Sequence, residues 1–162
     1  MNVIVIPARI SEPLQEVHLD TKNLDAYENL VDGMIEAIDL YHPEASFYIN
    51  EEGKLRRMPF NERATALWWA HNSAARDQDW IVGPAVLHGP VGQDGESTSV
   101  PEELAALLLH TRTFRIETAT APDGPFDPQA GRYDDWFIAY LHGLRLSDPL
   151  SPHQRFRVLP AQ

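Results

Sequence analysis

The residues best suited to chemistry lie in one short stretch. Asn50, Glu51 and Glu52 precede Gly53, and Asn61, Glu62 and Arg63 follow Pro59 and Phe60. Two adjacent carboxylates near a third can do acid–base work when their surroundings push their pKa values apart. On a turn, adjacent side chains point different ways, so Glu51 or Glu52 can equally accept main-chain N–H bonds or pair with Arg56, Arg57 or Arg63. Asn50 and Asn61 can read a ligand through their amides or satisfy local backbone groups. This stretch is therefore a candidate ligand or partner site, comprising Asn50, Glu51, Glu52, Asn61 and Arg63, and no residue is assigned a catalytic role.

Other chemistries find less support. The seven histidines are His18, His42, His71, His88, His110, His142 and His153. None has the i, i+4 spacing of a helical metal pair, so no metal site and no cofactor is assigned. His71 reads as a satisfied core residue. The chain lacks Gly-x-Ser-x-Gly, a phosphate-cradling loop and a dinucleotide fingerprint. It also lacks cysteine, which removes disulfides and thiolate catalysis.

The second signal is charge. The net charge is −11 over 162 residues. Residues 1–50 carry a balance of −7, residues 51–76 one of +2, and residues 77–100 four acids and no base. Eight acids recur at gaps of three to five: Glu12, Glu16, Asp20, Asp25, Glu28, Asp32, Glu36 and Asp39. Such a row is either the solvated side of amphipathic elements or a surface for a basic protein partner. In its sharpest form it imitates a nucleic-acid backbone. The negative field opposes direct nucleic-acid and anionic-membrane binding. Lys54, Arg56, Arg57 and Arg63 form the one basic cluster. Near Trp68, Trp69 and Trp80 it could stack single-stranded bases, or it could dock acids of the same chain or of a second copy.

The elements that must carry these residues are short. Val3–Ile6 reads as an inner strand stopped by Pro7, and residues 16–19 as a half-buried one. Apolar residues from Leu24 to Ile38 keep helical spacing behind Asn23 as N-cap. Gly33 lies inside that run, and Met34 to Tyr41 can also be a strand. Residues 46–49 form a strand running into the Asn50–Gly53 turn. Asn61 caps a helix reaching about Arg76, its buried face being Ala64, Leu67, Trp68, His71 and Ala75. Residues 80–87 are a strand with Gly83-Pro84 at a bulge or edge. Ser99 and Glu102 make a capping box before Leu104, Leu107 and Leu108. Residues 113–117 and 155–158 alternate as strands, and residues 121–131 are irregular. Trp136–Leu141 can be strand or helix, and if exposed it would favour a homo-oligomer. The expected class is α+β, a small mixed or antiparallel sheet with two or three helices. No apolar run reaches the ~18 residues of a membrane span, and Met1–Pro7 does not read as a signal peptide. A cytoplasmic protein is expected.

Residues 1–90 resemble a family of uncharacterised domains found in phage, plasmid and actinobacterial genomes. Its pattern is Asn50-Glu51-Glu52-Gly53-Lys54-Leu55, then Pro59-x-Asn61-x-x-Ala64-Thr65, then Ile81-Val82-Gly83, preceded by Leu30 to Glu36. Asp32 departs from it, standing where the pattern has glycine. The resemblance supports a break at Gly33. It implies a mobile genetic element and no transferable activity. It also divides the chain into a family-like domain, 1–90, and an extension, 91–162, packed on the same core. The leading expectation is a non-enzymatic acidic protein of a mobile genetic element that binds a basic protein. The alternative is a small enzyme or small-molecule binder with its site around Asn50 to Arg63.

Overall fold

The computed structural model describes residues 1–147 and 154–162. They form two antiparallel sheets and four helices, an α+β fold. The first sheet holds β1 (Asn2–Ile6), β2 (Gln15–His18), β3 (Ile35–Leu40), β4 (Ala45–Asn50) and β5 (Ala85–His88), in the order β2-β1-β5-β4-β3. The second holds β6 (Phe114–Ala119), β7 (Asp127–Pro128) and β8 (Arg155–Pro160), in the order β7-β6-β8.

Alternation along the first sheet divides its residues between two faces. Val3, Val5, Tyr48 and Val86 point to the side covered by α1 (Leu24–Val31), where Tyr27 and Val31 are buried among them. Ile4, Ile6, Phe47 and Leu87 point to the opposite side. There they meet α2 (Glu62–His71), α3 (Glu102–Leu109), α4 (Trp136–Leu146) and the inner face of the second sheet. Leu67, Leu104, Leu107, Ile116, Tyr140 and Val158 complete one continuous core with them. Strands on both sides of residue 90 thus share one apolar interior.

The chain does break at Gly33. Asp32 ends α1 in the left-handed conformation, φ 59° and ψ 43°. Glycine enters that region without steric cost and aspartate tolerates it. A Cβ on Gly33 itself would sit 2.5 Å from Asn50 Nδ2, so no larger residue fits.

Five details differ from the sequence expectations, the first being that residues 121–131 are not wholly irregular, because Asp127–Pro128 pairs with β6 as β7. α2 stops at His71, because Asn72 turns extended while its N–H still bonds the Trp68 carbonyl. No capping box forms before α3. The Ser99 hydroxyl accepts from the Asn2 N–H instead, and Pro101 occupies the cap without a side-chain bond. β5 begins only after Pro84, and it is a central strand. The run Trp136–Leu141 is helical, which makes four helices where two or three were expected. Of that run only Ile138 is exposed, so it offers no large apolar patch.

Candidate functional site

The Asn50–Arg63 stretch is held together by main-chain capping. Asn50, at the end of β4, sends Nδ2 to the Val31 and Asp32 carbonyls at 3.1 and 2.9 Å. Those are two of the carbonyls that the C-terminus of a helix leaves without partners. Its Oδ1 accepts the Glu52 N–H at 2.8 Å and shapes the following turn. Asn61 is 0% exposed. Its Oδ1 accepts the Ala64 N–H at 3.0 Å, capping α2. Its Nδ2 donates to the Ile6 and Gly83 carbonyls, both at 2.9 Å. One side chain thus joins β1, the start of α2 and the approach to β5. Every polar atom of both amides has a protein partner, so neither asparagine offers a free group to a ligand.

Arg63 is also buried. Its Nη2 donates to the Pro7 and Arg9 carbonyls at 2.8 and 2.9 Å, pinning the loop after β1. Burial lowers its pKa, opposed by the charges of Asp135 and Glu12. Glu51, Glu52 and Glu62 are exposed. Asn50 and Glu51 line one depression together, and its volume is about 70 Å³. That is room for about two waters.

Three of the four bases of the cluster, Lys54, Arg56 and Arg63, are spent within the chain, whereas the exposed Arg57 side chain has no hydrogen-bond or ion-pair partner among the described residues. Lys54 pairs with Asp79 and lies 4.5 Å over the Trp80 ring. Arg56 pairs with Asp32 at 2.9 Å and also donates to the Asp32 carbonyl. The tryptophans are occupied too. Trp68 is buried with Nε1 on the Asp39 carbonyl, and Trp69 donates to the Asp79 carbonyl. Trp80 is 48% exposed beneath Lys54.

The eight acids do not share one face. Glu16 lies on β2 and Glu36 and Asp39 on β3, at opposite edges of the first sheet. Those edges are about 19 Å apart at the usual strand spacing. Register sets Glu36 beside Ile49 on the large-core side and Asp39 beside Ser46 on the α1 side. Glu12 lies in the loop beside Arg63. Asp25 and Glu28 lie on α1, Asp32 is its C-cap, and Asp20 lies in the turn leading into it. Asp20 accepts the Lys22 N–H and Asp32 pairs with Arg56. Among the described residues, Asp25 and Glu28 have no hydrogen-bond or ion-pair partner. The nearest lysine in sequence, Lys22, turns to Glu96 at 3.7 Å.

Two further features carry chemistry that the sequence did not reveal. On the α1 side, His88 is 0% exposed and stacks on Tyr48, ring centroids 4.0 Å apart. Its Nδ1 faces the Gly89 carbonyl at 2.8 Å and so carries the proton. Its Nε2 has no partner among the described residues. Burial lowers its pKa to about 4. Ser46 and Asp39 are close by, but Ser46 gives its proton to Asp39 at 2.8 Å, so the three form no relay. The second feature is a groove of about 540 Å³ between α3 and β8, lined in part by Leu104, Leu107, Tyr140 and Val158. Beside it His71 Nδ1 donates to the His42 carbonyl at 3.1 Å, and Tyr140 donates to His71 Nε2 at 2.9 Å. Burial lowers the His71 pKa and raises that of Tyr140, which keeps both neutral at pH 7. His153 lies outside the described residues.

A family model described as a domain of unknown function, DUF3846, matches residues 1–114. The chain belongs to the DUF3846 family. The DUF3846 match runs past the 90 residues that carry the resemblance, taking in α3 and ending at the first residue of β6. One wall of the large groove therefore comes from the DUF3846 part and the other from the remainder. No curated protein and no solved structure matches the chain. Among the described residues no helix is long and apolar enough to cross a membrane.

Proposed function

We propose that this protein is a non-enzymatic binding protein that engages a basic protein partner through the acidic outer face of α1. The observation that carries this reading is that, among the described residues, the Asp25 and Glu28 side chains on α1 have no hydrogen-bond or ion-pair partner. Residues three apart are neighbours on a helix surface, and like charges there cost a few tenths of a kcal/mol. A single lysine would relieve that cost, yet Lys22 is turned to Glu96. A cationic partner would relieve it too. Mimicry of a nucleic-acid backbone is a weaker form of the reading, because Glu16 and Glu36 lie on opposite sheet edges. The phage, plasmid or actinobacterial setting implied by the family resemblance belongs to the same proposal.

The alternative site around Asn50 to Arg63 receives less support, since its amides and Arg63 Nη2 are committed to main-chain carbonyls, which leaves the buried Arg63 Nε without a partner among the described residues. The test is capture of partners by the wild-type chain and by a variant carrying Asp20→Asn, Asp25→Asn and Glu28→Gln. The expected result is a basic protein retained at low salt and released near 0.5 M, where the Debye length is a few ångströms. The variant should lose it. Retention by the variant equal to wild type would defeat the proposal.

A further inference from the structure

β8 is an outer strand of its sheet. Main-chain groups along an antiparallel strand alternate in direction. The Ala161 N–H donates to the Thr113 carbonyl at 2.8 Å, which sets the phase. Residues 155, 157 and 159 turn their N–H and C=O groups toward β6. Phe156 and Val158 turn both groups the other way, and Pro160 turns its carbonyl that way. Among the described residues, neither the Phe156 nor the Val158 N–H has a hydrogen-bond partner.

This free edge forms a wall of the groove. Five consecutive residues, Phe156 to Pro160, line it. Such a run exposes a length of main chain, about 14 Å at the rise of a strand. Pro43, Leu104 and Leu107 supply apolar surface on the facing side. The groove is within the volume range of ligand sites, and its fixed donors and acceptors have the repeat of a β-ladder. An extended peptide matches that repeat, and it gains main-chain bonds and side-chain contacts together.

Charge selects the occupant. Register sets Arg115, Glu117, Arg155 and Arg157 on the outer face of the second sheet. Arg115 and Arg157 both pair with Glu117, and Arg155 and Arg157 lie over the Phe126 ring at 5.0 and 4.2 Å. Two guanidinium groups thus share one carboxylate. Arg155 donates to the Ala121 and Gly124 carbonyls and has no carboxylate partner among the described residues. Arg155 and Arg157 are exposed. A second copy of β8 pairing antiparallel would set arginine against arginine. An incoming carboxylate would lie about 5 Å from these groups. That is inside the Debye length of about 8 Å, so the local arginines outweigh the net charge of −11 in choosing the side chain.

We propose that the free edge of β8 takes up an extended peptide segment of another protein, with apolar side chains toward the groove alternating with Asp or Glu toward Arg155 and Arg157. This site is separate from the α1 face and does not depend on it.

The test uses the full chain, labelled with ¹⁵N, and a soluble heptapeptide alternating valine and glutamate, up to millimolar concentration. The expected result is a shift of the Phe156 and Val158 amide resonances, with their hydrogen exchange slowed at least tenfold. The same peptide N-methylated at every internal amide should bind at least tenfold more weakly, because it cannot join the ladder. Val158→Pro removes one edge donor and should weaken binding similarly. Should that variant fold poorly, Ala106→Arg, an exposed α3 position lining the groove, blocks the site without touching the sheet. The proposal is overturned if the two amides do not respond, if the N-methylated peptide binds equally, or if Ala106→Arg leaves binding unchanged. Tighter binding of a valine–lysine heptapeptide would overturn the assignment to an acidic segment.

Discussion

The Asn50–Arg63 stretch and the groove beside β8 are near opposites. The first is rich in amides, carboxylates and guanidinium groups, yet its buried polar atoms are largely consumed by the chain's own backbone. The second is lined mainly by leucine, valine, proline and alanine, with His42, His71, Glu103 and Arg157 among them, yet its main-chain donors stand unbonded at an edge. Reactive side-chain types mark where buried backbone needs satisfying as readily as they mark a site. An open main-chain edge has no side-chain signature at all.

Removing the amide of Asn61 should break the first half of this contrast most severely. Asn61→Ala leaves the Ile6 and Gly83 carbonyls and the Ala64 N–H without partners in a fully buried place. At 1–3 kcal/mol for each orphaned buried group, and with the helix cap also lost, about 4 kcal/mol of stability should go. A denaturant titration at neutral pH measures it. An effect under 1 kcal/mol would mean that the site reading of Asn61 had been dismissed too soon.

His88 is the next largest effect. Its pKa in the folded chain is lowered to about 4, against an ordinary value near 6.5. Between those values the unfolded chain binds a proton that the folded chain refuses. Stability therefore falls as the pH drops through that window, by up to about 3 kcal/mol from this group. His71 is lowered in the same direction. His88→Phe keeps the stacking on Tyr48 and removes the titration. Its stability should approach or exceed that of wild type near pH 4.5 and not at pH 7.5. Equal pH slopes for the two proteins would contradict the assignment.

Asn50→Ala should cost about 2–3 kcal/mol, less than Asn61, because the Asp32 carbonyl keeps its bond from Arg56. Thermal unfolding at low and high salt separates the two supports, since the exposed Arg56–Asp32 pair weakens with screening. The smallest effect belongs to the acidic face. Asp25→Asn with Glu28→Gln should change stability by less than about 0.5 kcal/mol, or raise it slightly, as repulsion between helix neighbours is relieved. Denaturation midpoints test this. A loss above 1 kcal/mol would show these carboxylates to be structural.

Much of the first 90 residues was legible because short-range rules govern it. Asn23 and Asn61 cap the helices they precede, and the chain reverses at Gly33. The unbroken β-branched run of Val3 to Ile6 marked a strand buried on both faces. Where long-range contacts decide, the sequence was silent or misleading. Ser99 is drawn from its capping role by the Asn2 N–H, 97 residues away. The regular acidic spacing suggested a ridge, but a helix, two edge strands and loops divide it. The groove was not legible, because what defines it is the place of β8 at the edge of its sheet, and strand order cannot be read from one strand's residues.

Hydrogen exchange across the folded chain compares the two regions in a single measurement. The Ala64 amide, bonded to the buried Asn61, should exchange only through global unfolding. The Phe156 and Val158 amides should exchange orders of magnitude faster than those of Arg157 and Leu159, which bond β6. Slow exchange at Phe156 and Val158, equal to that of their neighbours, or rapid exchange at Ala64, would contradict the contrast between a satisfied scaffold and an open edge.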